Sequence, residues 1–292
     1  MKFRKFLCFV LIFAIMMSLG VTAFADALLP VIEINGCEVR NLSISRIERA
    51  ANISRAEIIN SIENDINVLN RFCIPTSAAM DVRYKGNHIE YIFNHPELDY
   101  CSTISVEENP CGDVVFYISE GECNDILEYK ADGAIFLDGK EVVIERPIDL
   151  DDSAIISPQA RYEQYSEKNL CPGATYSKSG SPKPYTVNVE KRLLTLATDT
   201  IAAMLGAAIG GIPGAAAGVI FAAIARQIKS NAQVYCPSST AVTCDIQKYE
   251  KSPQDVPLKR YYKYTGTYYS STVKNNDTKA GTNAYYCVNY FA

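Results

Sequence analysis

Between Asp26 and Arg146 the chain alternates between two hydrophobic periods. Ile58, Ile62, Ile66 and Leu69 recur every three or four positions, with Asn60, Glu63, Asn64, Asn67 and Asn70 on the other side. That spacing predicts an amphipathic helix over Glu57 to Phe72. Ser45-Arg46-Ile47-Glu48 and Ser54-Arg55-Ala56-Glu57 each fit a capping box, in which hydroxyl and carboxylate satisfy free backbone N–H groups reciprocally. Two helix starts are expected there. Elsewhere the period falls to two. VIEINGCEVR predicts a hairpin about Asn35-Gly36, and MDVRYKGNHIEYIF one about Lys85-Gly86-Asn87. DVVFYI, DILEYK, GAIFL and EVVIE read as short strands, with Asp132-Gly133 and Asp138-Gly139 as tight turns between them.

From Arg146 to Tyr185 no period is sustained and five prolines occur, so residues 147–184 are expected to be a linker or long ordered loop. A helical segment follows over Val187 to Asn231. Beyond it, Tyr-, Thr- and Val-rich runs predict further strands, with KNNDTKAGTN as a polar turn. The fold class expected is α+β: an N-terminal antiparallel sheet with helices, an Ala/Gly-rich helical hairpin, and a small Tyr-rich antiparallel β region. The units expected are 1–25, 26–146, 147–184 and 185–292.

The hairpin expectation rests on the 26 residues between Asp199 and Arg226, which carry no charge. As one helix they would reach about 39 Å, enough for a bilayer core of roughly 30 Å. Three features oppose a simple span. Only nine of the 26 are Ile, Leu, Val, Met or Phe, against ten Ala and five Gly. Gly210-Gly211-Ile212-Pro213-Gly214 breaks the middle. Lys191 and Arg192 before the run match Arg226 and Lys229 after it, whereas a single span has unequal basic flanks. Two helices folded back at Gly210 to Pro213 fit better. Ala202, Gly206, Gly210, Gly214, Gly218 and Ala222 fall four residues apart, a spacing that lets helix backbones approach closely within each arm. This segment, Val187 to Asn231, resembles the glycine-zipper hairpins of bacterial pore-forming peptides and bacteriocin-like proteins. The resemblance implies membrane insertion by close helix packing, with Lys191, Arg192, Arg226 and Lys229 meeting lipid phosphates. The other expectation is a helical pair buried as core, since an all-round apolar helix belongs in one place or the other.

Composition changes the picture in three ways. Lys2, Arg4 and Lys5, the apolar run Phe6 to Leu19, and Ala23-Phe24-Ala25 form a secretory signal pattern with cleavage after Ala25. The nine cysteines beyond it are then expected to form disulfides, with Cys101–Cys111, Cys111–Cys123 and Cys236–Cys244 as local candidates and Cys287 among the rest. Nine is odd, so one is free or pairs between chains. Charge is also uneven. Asp26 to Lys168 holds 27 acidic and 12 basic residues, and Asn169 to Ala292 holds 6 and 13. The two parts are expected to attract each other, or the basic part to meet an anionic membrane or a second copy of the chain.

Candidate chemistry is sparse. No Cys-x-x-Cys pair occurs and there are two histidines, so no metal site is expected. His88-Ile89-Glu90 with Pro110-Cys111 is half of a zinc deaminase pattern and lacks its second cysteine. No Gly-x-Ser-x-Gly elbow or phosphate-binding glycine loop is present. His95 beside Glu97 and Asp99 reads as a surface group, and the carboxylates of GDVVFYISEGECNDILE read as solvated strand and turn faces. Tyr261, Tyr262, Tyr264, Tyr268, Tyr269, Tyr285, Tyr286 and Tyr290, with Lys259, Arg260 and Lys263, suit a sugar or lipid interface, or cross-strand packing. No catalytic residue, cofactor or nucleic-acid partner is expected. The sequence thus points to a secreted, non-enzymatic protein whose hairpin associates with membranes, or to an extracellular binding module with the hairpin as core.

Overall fold

The short runs of the first half pair in the order in which they occur. The computed structural model describes residues 31–35, 37–76, 79–85, 88–147, 161–164, 176–209, 215–251 and 259–290. The expected signal, residues 1–25, lies outside them, as do Gly210, Pro213 and Gly214. Strands β1 (Val31–Ile34), β2 (Cys37–Arg40), β3 (Ala79–Lys85), β4 (His88–His95), β5 (Tyr100–Glu108), β6 (Val114–Glu120), β7 (Cys123–Tyr129), β8 (Ile135–Leu137) and β9 (Lys140–Glu141) form one sheet in sequence order. Neighbours are antiparallel except β2 and β3, which are parallel and joined through helices α1 (Asn41–Ala51) and α2 (Arg55–Arg71). A parallel pair needs such a crossover.

Local chemistry accounts for most of this sheet. Asn35 has φ 49° in the two-residue turn between Ile34 and Cys37, and Asp138 and Gly139 have φ 51° and 76° in that between Leu137 and Lys140. In the second of these turns both central residues are left-handed, which matches the right-handed strand twist. The capping box at Ser54 forms as expected: its hydroxyl accepts from the Glu57 N–H, and its own N–H donates to the Glu57 carboxylate at 2.9 Å. The one at Ser45 does not form. Helix α1 begins at Asn41, preceded by Arg40 with no side-chain cap, so Ser45 lies inside the helix.

The second sheet has six strands in the order β10 (Val143–Glu145), β12 (Ser177–Asn188), β13 (Ala241–Lys251), β14 (Lys259–Tyr269), β15 (Lys279–Tyr290) and β11 (Arg161–Gln164). The described residues are therefore mostly β, and the α+β expectation is overturned. Two causes are visible. Ser177–Asn188, whose first eight residues were expected to be linker or loop, pairs along β13 as an edge-to-edge partner. Its Ser, Lys and Pro residues show no apolar alternation, so the backbone pairing leaves no mark in the hydrophobic pattern. A register shift between Ser179 and Lys183 accommodates Gly180, at φ 68°, and Pro182, which has no N–H to give a ladder. Strands β12 to β15 are also eleven or twelve residues long, so the β region is a full sheet.

Helices α3 (Thr198–Ile209) and α4 (Ala215–Tyr235) pack against each other, but the first starts at Thr198 and not at the expected Val187, which lies in β12. Helix α3 packs on β6 of the first sheet and β12 of the second, while α4 lies along β14 and β15. The pair is a middle layer between two sheets, and one continuous apolar cluster runs through all three. Among the described residues no helix is long and apolar enough to cross a membrane.

Candidate functional site

The inward faces of β6 and β7 carry Val114, Phe116, Ile118 and then Glu120, and Asp125 and then Leu127 and Tyr129. The register sets Glu120 opposite Cys123 and Ile118 opposite Asp125, so both carboxylates stand on the core face at one end of the sheet. There they meet the start of α3. Asp125 is 2% exposed and accepts the Ala197 N–H and the Thr200 hydroxyl, each at 2.7 Å, together with the Lys191 ammonium. Glu120 accepts the Thr198 N–H and, at 3.1 Å, the Thr198 hydroxyl. The first N–H groups of a helix have no partner within it and carry the positive end of its dipole. Two acids of the first sheet thus cap a helix that lies about 75 residues further on.

The flanking cations close the same clasp. Lys191 also donates to Asp138 at 2.9 Å and the Asn124 carbonyl at 3.0 Å. Lys229 reaches Glu120 at 3.4 Å and the Leu196 carbonyl at 2.7 Å. Arg226 donates to the Asp99 carbonyl at 3.2 Å and lies 3.7 Å from Glu120. Three of the four predicted lipid-contact residues are therefore held by the acidic part of the chain, and Arg192 alone is exposed.

Beside the clasp, Tyr100 donates to Asp199 at 2.7 Å and stacks on His95 with ring centroids 4.5 Å apart. Burial pushes the Asp199 carboxyl up to about 6, against the neighbouring Ser102 hydroxyl and the Tyr100 hydroxyl that donates to it. Burial likewise pushes His95 down to about 4, against the attraction of Glu120, so the imidazole is neutral at pH 7. An imidazole, a hydroxyl and a carboxyl do converge here. However, His95, Ser102 and Asp199 are 6%, 1% and 0% exposed, which closes the group to a substrate. His95 is core rather than surface.

The small-residue register is also filled by the chain itself. Ala202 and Ala222 are fully buried. A Cβ placed on Gly206 would lie 2.6 Å from the Cys73 Cβ, and one on Gly218 would lie 2.7 Å from the Pro75 Cα. The segment leaving α2 therefore occupies the groove that the glycines open.

Among the described residues, Cys101, Cys111, Cys123, Cys236 and Cys244 are free thiols. Cys101 and Cys111 sit at opposite ends of β5, and Cys111 and Cys123 at opposite ends of β6. At about 3.4 Å per residue each pair is separated by roughly 20 Å or more, far beyond disulfide reach. Cys236 instead lies 2.9 Å from the Ser270 hydroxyl, while burial pushes the Cys244 thiol up to about 12. Cys287 lies on β15, and its side chain is outside the described residues.

Sequence reasoning missed Glu120, Asp125, Asp199 and Tyr100. The signal was present: in β6 and β7 the acids fall on the same alternate positions as Val114, Phe116, Ile118 and Leu127. An acid on the apolar phase of a strand is a buried acid, and a buried acid needs partners. Compared with known protein families, with curated proteins and with solved structures, the chain matches none.

Proposed function

We propose that the chain is an exported, non-enzymatic binding protein in which the Ala/Gly hairpin serves as core. The observation that carries this reading is the contact of Gly206 and Gly218 with Cys73 and Pro75, which leaves no room for a Cβ. The small residues serve close packing inside the molecule. Lys191, Arg226 and Lys229 are engaged by Asp125, Asp138 and Glu120, which supports the same view. Export rests on the signal pattern of the first 25 residues. The absence of catalysis rests on the closure of the His95, Ser102 and Asp199 cluster to solvent.

A second reading keeps the hairpin as a membrane device, favoured by the 26 uncharged residues between Asp199 and Arg226. It requires the clasp to open. The test is flotation and dye leakage with phosphatidylglycerol vesicles, at low and high salt, using the chain as secreted by an expressing host. Beside it runs Asp125→Ala, which removes the acceptor of Lys191, Ala197 and Thr200. The core reading expects neither protein to float. Leakage by the secreted chain would replace it with the membrane reading, and leakage by Asp125→Ala alone would identify the hairpin as stored behind the clasp.

A further inference from the structure

The outer face of β5 to β8 has a different character from the inner one. Tyr117 and Ile126 stand directly opposite each other across β6 and β7, and they are 40% and 41% exposed. Val115 and Phe136 lie on the same face, directly opposite Glu128 on its two sides. Carboxylates surround this strip. Glu107 accepts from the Tyr117 hydroxyl at 3.5 Å, and Glu128 lies on the other side of Val115. Partial burial and then the Glu107 and Glu128 charges push the Tyr117 phenol up. From Glu107 to Glu141 the chain holds ten acidic residues against two lysines; Glu120, Asp125 and Asp138 among the ten are engaged in the clasp, and Glu108 pairs with Arg71 at 2.9 Å. Lys130 partly offsets the rest through Glu128 at 2.8 Å and Asp113 at 3.6 Å.

An exposed apolar pair flanked by Glu107 and by Glu128, which Lys130 shares, is complementary to a surface that offers apolar and cationic groups together. We propose that this face docks a cationic peptide segment carrying an aliphatic side chain between basic residues. The aliphatic group would cover Tyr117 and Ile126. The flanking cations would meet Glu107 and Glu128, and a guanidinium or ammonium over the Tyr117 ring would add a cation–π contact. This inference rests on the reading of the chain as a binding protein and names its partner by chemistry.

The chain contains no tryptophan, so a peptide with one tryptophan reports binding without background. The probe is a twelve-residue alternating Lys-Leu peptide carrying that tryptophan, followed by emission shift and anisotropy. A dodecalysine peptide with one tryptophan controls for charge alone. The Lys-Leu peptide is expected to bind at least about tenfold more tightly than the lysine peptide, with affinity falling as salt rises. Ile126→Ser and Tyr117→Ser are expected to weaken binding about tenfold while melting like the parent, and Glu107→Gln is expected to flatten the salt dependence. Equal affinity for the two peptides, equal binding by parent and variants, or no binding at all overturns the proposal. Vesicle flotation stays a separate readout. A chain that ignores vesicles and peptide alike loses this inference but keeps its buried hairpin.

Discussion

The two faces of β6 and β7 use the same residue types for opposite ends. Inside, Glu120 and Asp125 are turned toward the start of α3 and meet Lys191, Lys229 and two backbone N–H groups. Outside, Glu107 and Glu128 frame two exposed apolar side chains. The difference lies in strand phase. One residue along a strand exchanges a carboxylate that joins two sheets for one that faces solvent. Charge density along the chain does not separate these roles, and side-chain direction does.

The largest effect should come from breaking the inner face. Asp125→Ala leaves the Ala197 N–H and the Thr200 hydroxyl without their acceptor at a fully buried position, takes from Lys191 one of its three acceptors, and is expected to cost about 3 kcal/mol. Urea denaturation of parent and variant measures it. A cost under about 0.5 kcal/mol, the level of an exposed pair, would remove the distinction between the two faces.

A pH series sharpens the comparison. His95 has a folded pKa of about 4, below the ordinary 6.5, so the unfolded chain binds more protons between those values and stability is lost as pH falls through that window. Asp199, and Asp65 on α2, have folded values of about 6, above the ordinary 3.8, so their contributions run the other way and are lost as pH rises through about 4 to 6. Two groups against one leave a net slope of about one proton, so the parent is expected to lose stability as pH rises from about 4 to 6. His95→Phe should tilt it toward greater stability at acid pH, and Asp199→Asn toward less, each by up to about 2–3 kcal/mol. Parallel profiles for all three proteins would mean that neither group is held as described.

Gly218→Leu tests the packing that the clasp secures. Its side chain would meet the backbone at Pro75, and a cost of about 1–3 kcal/mol in thermal unfolding is expected. The smallest effects belong to exposed groups. Arg192→Ala and Ile126→Ser should each change stability by less than about 0.5 kcal/mol. A larger loss at Ile126 would show that the outer face is part of the core.

Much of the first sheet was legible because its signals are local. The Ser54-to-Glu57 box, the Asn35-Gly36 and Asp138-Gly139 turns and the alternation in β6 and β7 each act within a few residues. The second sheet was less legible. Ser177–Asn188 is a strand because β13 supplies backbone partners from sixty residues away, and no composition rule marks that. The Ala/Gly pair was legible as two helices, but its setting was not. An apolar helix has the same appearance in sequence whether lipid or protein covers it.

The sequence alone determined the two apolar helices, the turns and the opposite charge of the two parts. Periodicity, capping and glycine chemistry are properties of neighbouring residues. Only the tertiary structure decided that Cys73 and Pro75 fill the groove at Gly206 and Gly218, and that Glu120 and Asp125 cap α3. Such contacts join residues about 70 to 145 positions apart, and their free energy depends on burial and on partners that no local pattern encodes.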